Sequence, residues 1–177
     1  MEKFEKYHPI LTPHFTLDWL TASKVKDIFE LRHDKKIAAL SGRDIDEDIE
    51  QTATYVNRTM HAIMNNEALL WGILDRRTDK FLGTLCIWHF NDQKNTAEIR
   101  FEVLADQQNQ GIMSEVLGHM SSFAFAELGL KSLYAITQAK NGASQAVLKK
   151  NHFQLDKTDT NEKGTLRFYL NAPNNEA

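Results

Sequence analysis

The chain has 177 residues, 42% of them hydrophobic and 25% charged, with a formal net charge of −3. That composition suits one packed domain and excludes a globally disordered chain, and the mild negative charge argues against a nucleic-acid binder taken as a whole. The single cysteine, Cys86, excludes an intramolecular disulfide framework, so a reducing cytoplasm is the expected location.

No stretch approaches the roughly 18 consecutive apolar residues of a membrane span. The opening Met1–Leu11 carries Glu2, Lys3, Glu5 and Lys6 and lacks the apolar segment of a signal peptide. A first strand is expected over His14–Leu20, followed by a helix with Val25, Ile28, Phe29 and Leu31 on one side. A second helix is expected from Asp46 to Met64, with Asp46, Glu47 and Asp48 in its first turn, where carboxylates suit the helix dipole. Three hairpin-linked strands come next, over Ala68–Leu74, Phe81–Phe90 and Thr96–Leu104. In the third, Ala97, Ile99, Phe101 and Val103 alternate with Glu98, Arg100 and Glu102.

A polar stretch, Asp106–Gly111, leads into the strongest helix. Its apolar residues, Ile112, Met113, Val116, Leu117, Met120, Phe123, Ala124 and Leu128, have helical spacing. Lys131–Thr137 reads as a strand, Ala143–Asn151 as a short helix, and Phe153–Leu155 and Thr165–Leu170 as final strands. The order of elements predicts an α+β domain around a mixed sheet over residues 1–170, with a flexible polar tail, Asn171–Ala177.

Two segments carry chemistry. At Val103–Leu117 a strand, a polar loop ending in Gly111 and a helix start follow one another. A helix start leaves backbone N–H groups unpaired and slightly positive, which suits a phosphate or pyrophosphate. At Asn141–Phe153, Asn141 stands where it caps a helix and Ser144 falls in that helix's first turn. Neither segment is a P-loop or a GxGxxG loop. The seven histidines show no paired metal spacing, so no metal site is expected. Trp71, Trp88 and Phe101 read as core aromatics.

Together the segments resemble the GNAT superfamily of N-acetyltransferases, in which Q/R-x-x-G-x-G/A precedes a helix. The likeness is to the RimJ/RimL type, where AEIGY and GKGIMSEAL are common. Here the residues read Ala97-Glu98-Ile99-Arg100-Phe101 and Asn109-Gln110-Gly111-Ile112-Met113-Ser114-Glu115-Val116-Leu117. The family's N-x-x-S-x-x-V-L-x-K-x-G-F is matched by Asn141, Ser144, Val147, Leu148, Lys150 and Phe153. Gly83-Thr84 and Ile87-Trp88 look like the family's preceding strand. Asn109 replaces the first loop glycine, Asp106 stands in place of Q/R, Arg100 where glycine is frequent, and His152 before Phe153 where glycine is usual. Asn tolerates left-handed backbone. Arg100 would narrow or charge an acceptor cleft.

The resemblance implies a mostly antiparallel central sheet with splayed middle strands and flanking helices. It implies acetyl-CoA as co-substrate, held by Gln108, Asn109, Gln110, Gly111, Ile112, Met113 and Ser114 at the pyrophosphate and by the backbone of Phe101 and Val103 along the pantetheine arm. Asn141 would bond cofactor amides. Ser144 would protonate the leaving thiolate or bond the pantetheine. Glu98 is the implied base for the amine, with Glu102 second and an ion-paired surface carboxylate as the plainer role for Glu98. His89 is expected to be structural or to touch the acceptor. The expected acceptor is an amine, either a protein N-terminus or a small molecule such as a polyamine, amino acid or drug. A homodimer is expected, and neither nucleic acid nor membrane is. A catalytically silent acyl-CoA-binding module and a ligand-free interaction domain are the competing classes.

Overall fold

Eight strands form one sheet: β1 (Ile10–Leu11), β2 (Phe15–Asp18), β3 (Leu69–Asp75), β4 (Phe81–Trp88), β5 (Thr96–Val103), β6 (Ser132–Gln138), β7 (Gln154–Leu155) and β8 (Thr165–Asn171). The computed structural model describes residues 2–158 and 164–174. The strand order is β1-β2-β3-β4-β5-β6-β8-β7. Every described neighbour pair is antiparallel except β5–β6, which is parallel. The sheet is therefore mixed and mostly antiparallel, as the element order predicts.

Strand alternation sorts the side chains onto two helical layers. Leu69, Trp71 and Ile73 of β3 and Leu85 and Ile87 of β4 share one cluster with α4 (Ile112–Ala126) and α5 (Gly142–Lys150). Leu70, Leu74 and Cys86 face the other way, against α1 (Val25–Arg32) and α3 (Ile49–Met64). A short helix, α2 (Lys35–Ser41), lies beside them and adds Ile37 to this second cluster. β3 is buried on both faces along nearly its whole length, which explains why its sequence is continuously apolar.

Gly83 marks a close approach of β4 to β5. A Cβ built there would lie 2.2 Å from the Glu102 carbonyl oxygen, so only glycine lets β4 and β5 meet at this register.

Three sequence expectations change. α2 and the two-residue β1 were not anticipated. α3 begins at Ile49 with Asp48 as its cap (Gln51 N to Asp48 Oδ1, 2.9 Å), so Asp46 and Glu47 lie ahead of the helix. Asp46 instead accepts from Arg32 Nε and Nη2 (2.9 and 3.2 Å) and from Thr52 Oγ1 (2.8 Å). Asn171, expected to open the tail, pairs with Ser132 as the last residue of β8, and Ala172 N donates to Lys131 O. Residues 175–177 lie outside the described residues.

The Asp46 cluster pins α1 to the start of α3. Burial would raise this carboxyl, but the hydrogen bonds from Arg32 and Thr52 and the charges of Arg32 and Arg43 outweigh it and hold it below its ordinary value. A depressed carboxyl gives stability that is present above its unfolded pKa, about 4, and lost as pH falls through the lower folded value. Asp46→Asn leaves the Arg32 guanidinium unpaired, with an expected loss of about 3–5 kcal/mol at pH 7. In denaturant titrations the gap between parent and variant should close only below about pH 4. A gap that is constant down to pH 2 would remove Asp46 as its source.

Candidate active site

The site begins where the sheet opens. β5 pairs with β6 only at Thr96–Ser132, Ala97–Leu133 and Glu98–Tyr134. Beyond Glu98 the two strands separate, and β6 continues with β8 alone.

The phase of the β4–β5 ladder fixes which groups face the gap. Leu104 N donates to Leu82 O, and the register runs Gly83–Val103, Thr84–Glu102, Leu85–Phe101. Antiparallel pairs alternate between bonded and non-bonded, so Glu102, Arg100 and Glu98 spend their backbone groups on β4. The Ile99 carbonyl and the N–H and C=O groups of Phe101 and Val103 turn toward the opening. The Val103 carbonyl there accepts from Gln108 Nε2 (3.3 Å).

The loop after β5 is shaped by two left-handed residues. Asn109 sits at φ 61° and Gly111 at φ 74°, conformations in which Asn and Gly cost least. Gly111 starts α4, and no side chain caps that helix. α1 is uncapped as well, whereas α2, α3 and α5 are capped by Asp34, Asp48 and Asn141. The first N–H groups of α4 therefore have no protein side-chain acceptor. Glu115 secures the same turn by accepting from Thr12 Oγ1 (2.7 Å), His14 N (3.0 Å) and His14 Nδ1 (2.6 Å).

The strand edge, the loop and α5 border one trough of about 390 Å³. Every residue expected at the cofactor lines it: Phe101, Val103, Gln108, Asn109, Gln110, Gly111, Ile112, Met113, Ser114, Asn141 and Ser144. Asn141 Oδ1 accepts from Ser144 N (3.1 Å), so Asn141 is also the α5 cap. Lys150 and the α2 residues Ile37, Leu40 and Ser41 line the trough too and were not anticipated as site residues. Lys150 was visible within the N-x-x-S-x-x-V-L-x-K pattern; α2 gave no signal.

A family model described as an acetyltransferase (GNAT) domain matches residues 14–154. The chain belongs to the GNAT acetyltransferase family. It is 28% identical over 163 residues to the uncharacterized N-acetyltransferase YoaA of Bacillus subtilis (strain 168), covering 92% of this chain and 88% of that protein. The fold is shared with an acetyl transferase of Salmonella typhimurium that modifies the N-terminal serine of a 50S ribosomal subunit protein (TM-score 0.75, 19% identity, 92% and 97% of the two chains). It is shared equally with the spermidine N-acetyltransferase of Vibrio cholerae solved with CoA and spermine (TM-score 0.75, 16% identity, 89% and 95%).

The carboxylates of this GNAT enzyme are placed differently from the sequence expectation. Glu98 is not on a solvated surface; it is 3% exposed. Its Oε2 lies 2.7 Å from Nδ1 of His89, whose ring is largely exposed and stacks on Trp88 (centroids 3.9 Å apart, 14° between planes). With the carboxylate ionised, Nδ1–H is the donor and Nε2 is left free to accept a proton. The pair sits at the closed end of the β5–β6 opening, outside the trough. Glu102 lines the trough, but Arg43 holds it in a two-pronged ion pair (2.8 and 2.9 Å). Burial pushes the Cys86 thiol up, so it stays protonated in the core.

Among the described residues no group of three or more His, Cys, Asp or Glu side chains is placed to hold a metal, and no helix is long and apolar enough to cross a membrane.

Proposed function

We propose that the trough binds acetyl-CoA and that the enzyme transfers its acetyl group to a primary amine. One observation carries this: the uncapped start of α4 and the edge of β5 that no strand covers open into the same trough. The first provides N–H donors for a pyrophosphate. The second provides a row of backbone groups on which a pantetheine arm can lie as an added strand. Lys150 adds a cation at the trough wall.

The amine attacks the thioester carbonyl, a carbon–nitrogen bond forms, the carbon–sulfur bond breaks and the thiol leaves. A backbone N–H near Val103 is suited to receive the developing oxyanion. Before attack, the ammonium must lose a proton. His89 Nε2, with the Glu98 carboxylate behind it, is the proposed acceptor of that proton, and the Ser144 hydroxyl is the proposed donor to the thiolate. A protein N-terminus as acceptor is supported by the Salmonella typhimurium neighbour, and a small amine by the Vibrio cholerae one.

Calorimetry with acetyl-CoA, followed by thiol release with a panel of amines, tests the proposal. Micromolar acetyl-CoA binding with amine-dependent thiol release is the expected result. Binding without release for any amine would make the chain a silent acyl-CoA-binding module, and no binding would overturn the assignment of the trough.

A further inference from the structure

A second cavity, about 360 Å³, lies on the α1–α3 side of the sheet. Its wall shares Phe101 and Glu102, near the C-terminal end of β5, with the trough. Four arginines line it: Arg32, Arg43, Arg58 and Arg100. Arg32 is neutralised by Asp46, and Arg43 by Glu102. Arg58 and Arg100 have no carboxylate partner among the described residues.

Three of these guanidiniums lie over aromatic rings, Arg58 from an exposed position. Arg100 Cζ lies 5.4 Å from the Trp88 ring centroid, and Arg32 and Arg58 Cζ lie 3.6 and 6.0 Å from the Tyr55 ring centroid. A guanidinium set against a ring keeps its N–H edge available for a carboxylate or phosphate. Burial pushes the Tyr55 phenol up to about 12, so it stays a neutral hydroxyl at working pH. The ionisable groups lining this cavity are thus two paired arginines, two unpaired arginines, one paired glutamate, a neutral tyrosine and the protonated Cys86.

We infer that this second cavity seats the acceptor, and that the acceptor is a primary amine carrying carboxylates, of the acidic amino acid or short acidic peptide class. The inference rests on the acetyl-transfer proposal above. A polyamine is disfavoured by the same geometry: its cationic arms would face two uncompensated guanidiniums, and the one carboxylate on the wall is already bidentate with Arg43. The volume matches an amino acid or dipeptide.

The test is thiol release from acetyl-CoA with matched amines: aspartyl and glutamyl dipeptides, their side-chain amides, 2-aminoethyl phosphate and spermidine. The acidic dipeptides should exceed their amides in kcat/KM by about tenfold or more, the worth of one charge-assisted hydrogen bond. That ratio should fall toward one in Arg100→Gln and in Arg58→Gln, mainly through KM, with the acetyl-CoA Kd unchanged. It should also shrink between 50 and 500 mM salt in the parent enzyme, a measurement that needs no variant. A preference for 2-aminoethyl phosphate would show that phosphate, not carboxylate, is the anion recognised and overturn the assigned class. Preference for spermidine, equal rates with acid and amide, or a ratio unmoved by both substitutions and by salt would overturn the inference while leaving acetyl transfer intact. If no amine turns over, calorimetry of the same compounds with CoA present decides: binding of the acidic dipeptides supports the site, and its absence overturns it. Failure of acetyl-CoA itself to bind would count against the earlier proposal instead.

Discussion

Glu98→Gln is expected to lower kcat by roughly 10²–10⁴, the usual worth of general acid–base assistance. The substitution keeps the size of the side chain and its ability to accept from His89 Nδ1, 2.7 Å away. What it removes is the negative charge that stabilises the imidazolium formed when His89 takes a proton. The acetyl-CoA Kd should hardly change, because Glu98 does not line the trough. The low-pH limb of the kcat/KM profile should move or vanish, a response that loss of a purely structural carboxylate would not give. His89→Gln should reproduce the loss, since it removes the other half of the pair. Parental rates for Glu98→Gln across the pH range would assign proton removal to water or to the acceptor itself.

The second large effect is on affinity. Gly111→Asp should weaken acetyl-CoA binding by about 10²-fold, corresponding to roughly 3 kcal/mol of lost charge-assisted hydrogen bonding. A Cβ at Gly111 would meet no atom within 4 Å, so the protein itself offers no steric objection. The cost to the fold is that of a non-glycine residue at φ 74°, about 1–2 kcal/mol. The carboxylate at the α4 start returns about 0.3–1 kcal/mol through the helix dipole. Net stability should therefore change little while a negative charge occupies the place proposed for the pyrophosphate. Gly111→Ala separates the contributions, since it carries the backbone strain without the charge. An unchanged acetyl-CoA Kd in folded Gly111→Asp would put the pyrophosphate elsewhere.

Much of this arrangement was legible in the sequence because it follows local rules. The β3–β5 meander shows as strand-length apolar runs broken by polar turns, and α4 shows as a broad apolar stripe. The loop before α4 was legible through Asn109 and Gly111, whose left-handed backbone is a property of those residue types. What was not legible is mostly short or distant. α2 has seven residues and no sustained stripe, with only Ile37 and Ala38 buried. The α3 start was misplaced because three successive acids look like a first turn, whereas Asp46 belongs to Arg32, 14 residues earlier.

The charged contacts of the site are longer in range still. Arg43 and Glu102 are 59 residues apart, and nothing in the alternation of β5 reveals that Glu102 is already paired. His89 and Glu98 face each other across a turn that His89 itself initiates at φ 50°. Glu98 also shows that a polar position in an alternating strand need not be wet: the face it occupies is covered by the layer opposite α4 and α5. The arginine-lined cavity draws on α1, α3, three strands and the segment after α2, so it exists only once the sheet is assembled.

The divergence of β5 from β6 has a consequence for how this protein avoids sticking to itself. Unsatisfied strand edges are templates for aggregation, and proteins normally shield them at the rim of a sheet. Here the bare edge lies in the interior of the sheet, walled by a neighbour that departs at an angle. A second sheet is too wide to enter such a wedge, whereas a single slender chain of atoms can. Geometry thus filters by cross-section before any chemical group is recognised, and the enzyme can keep a reactive ladder exposed without presenting it to other proteins.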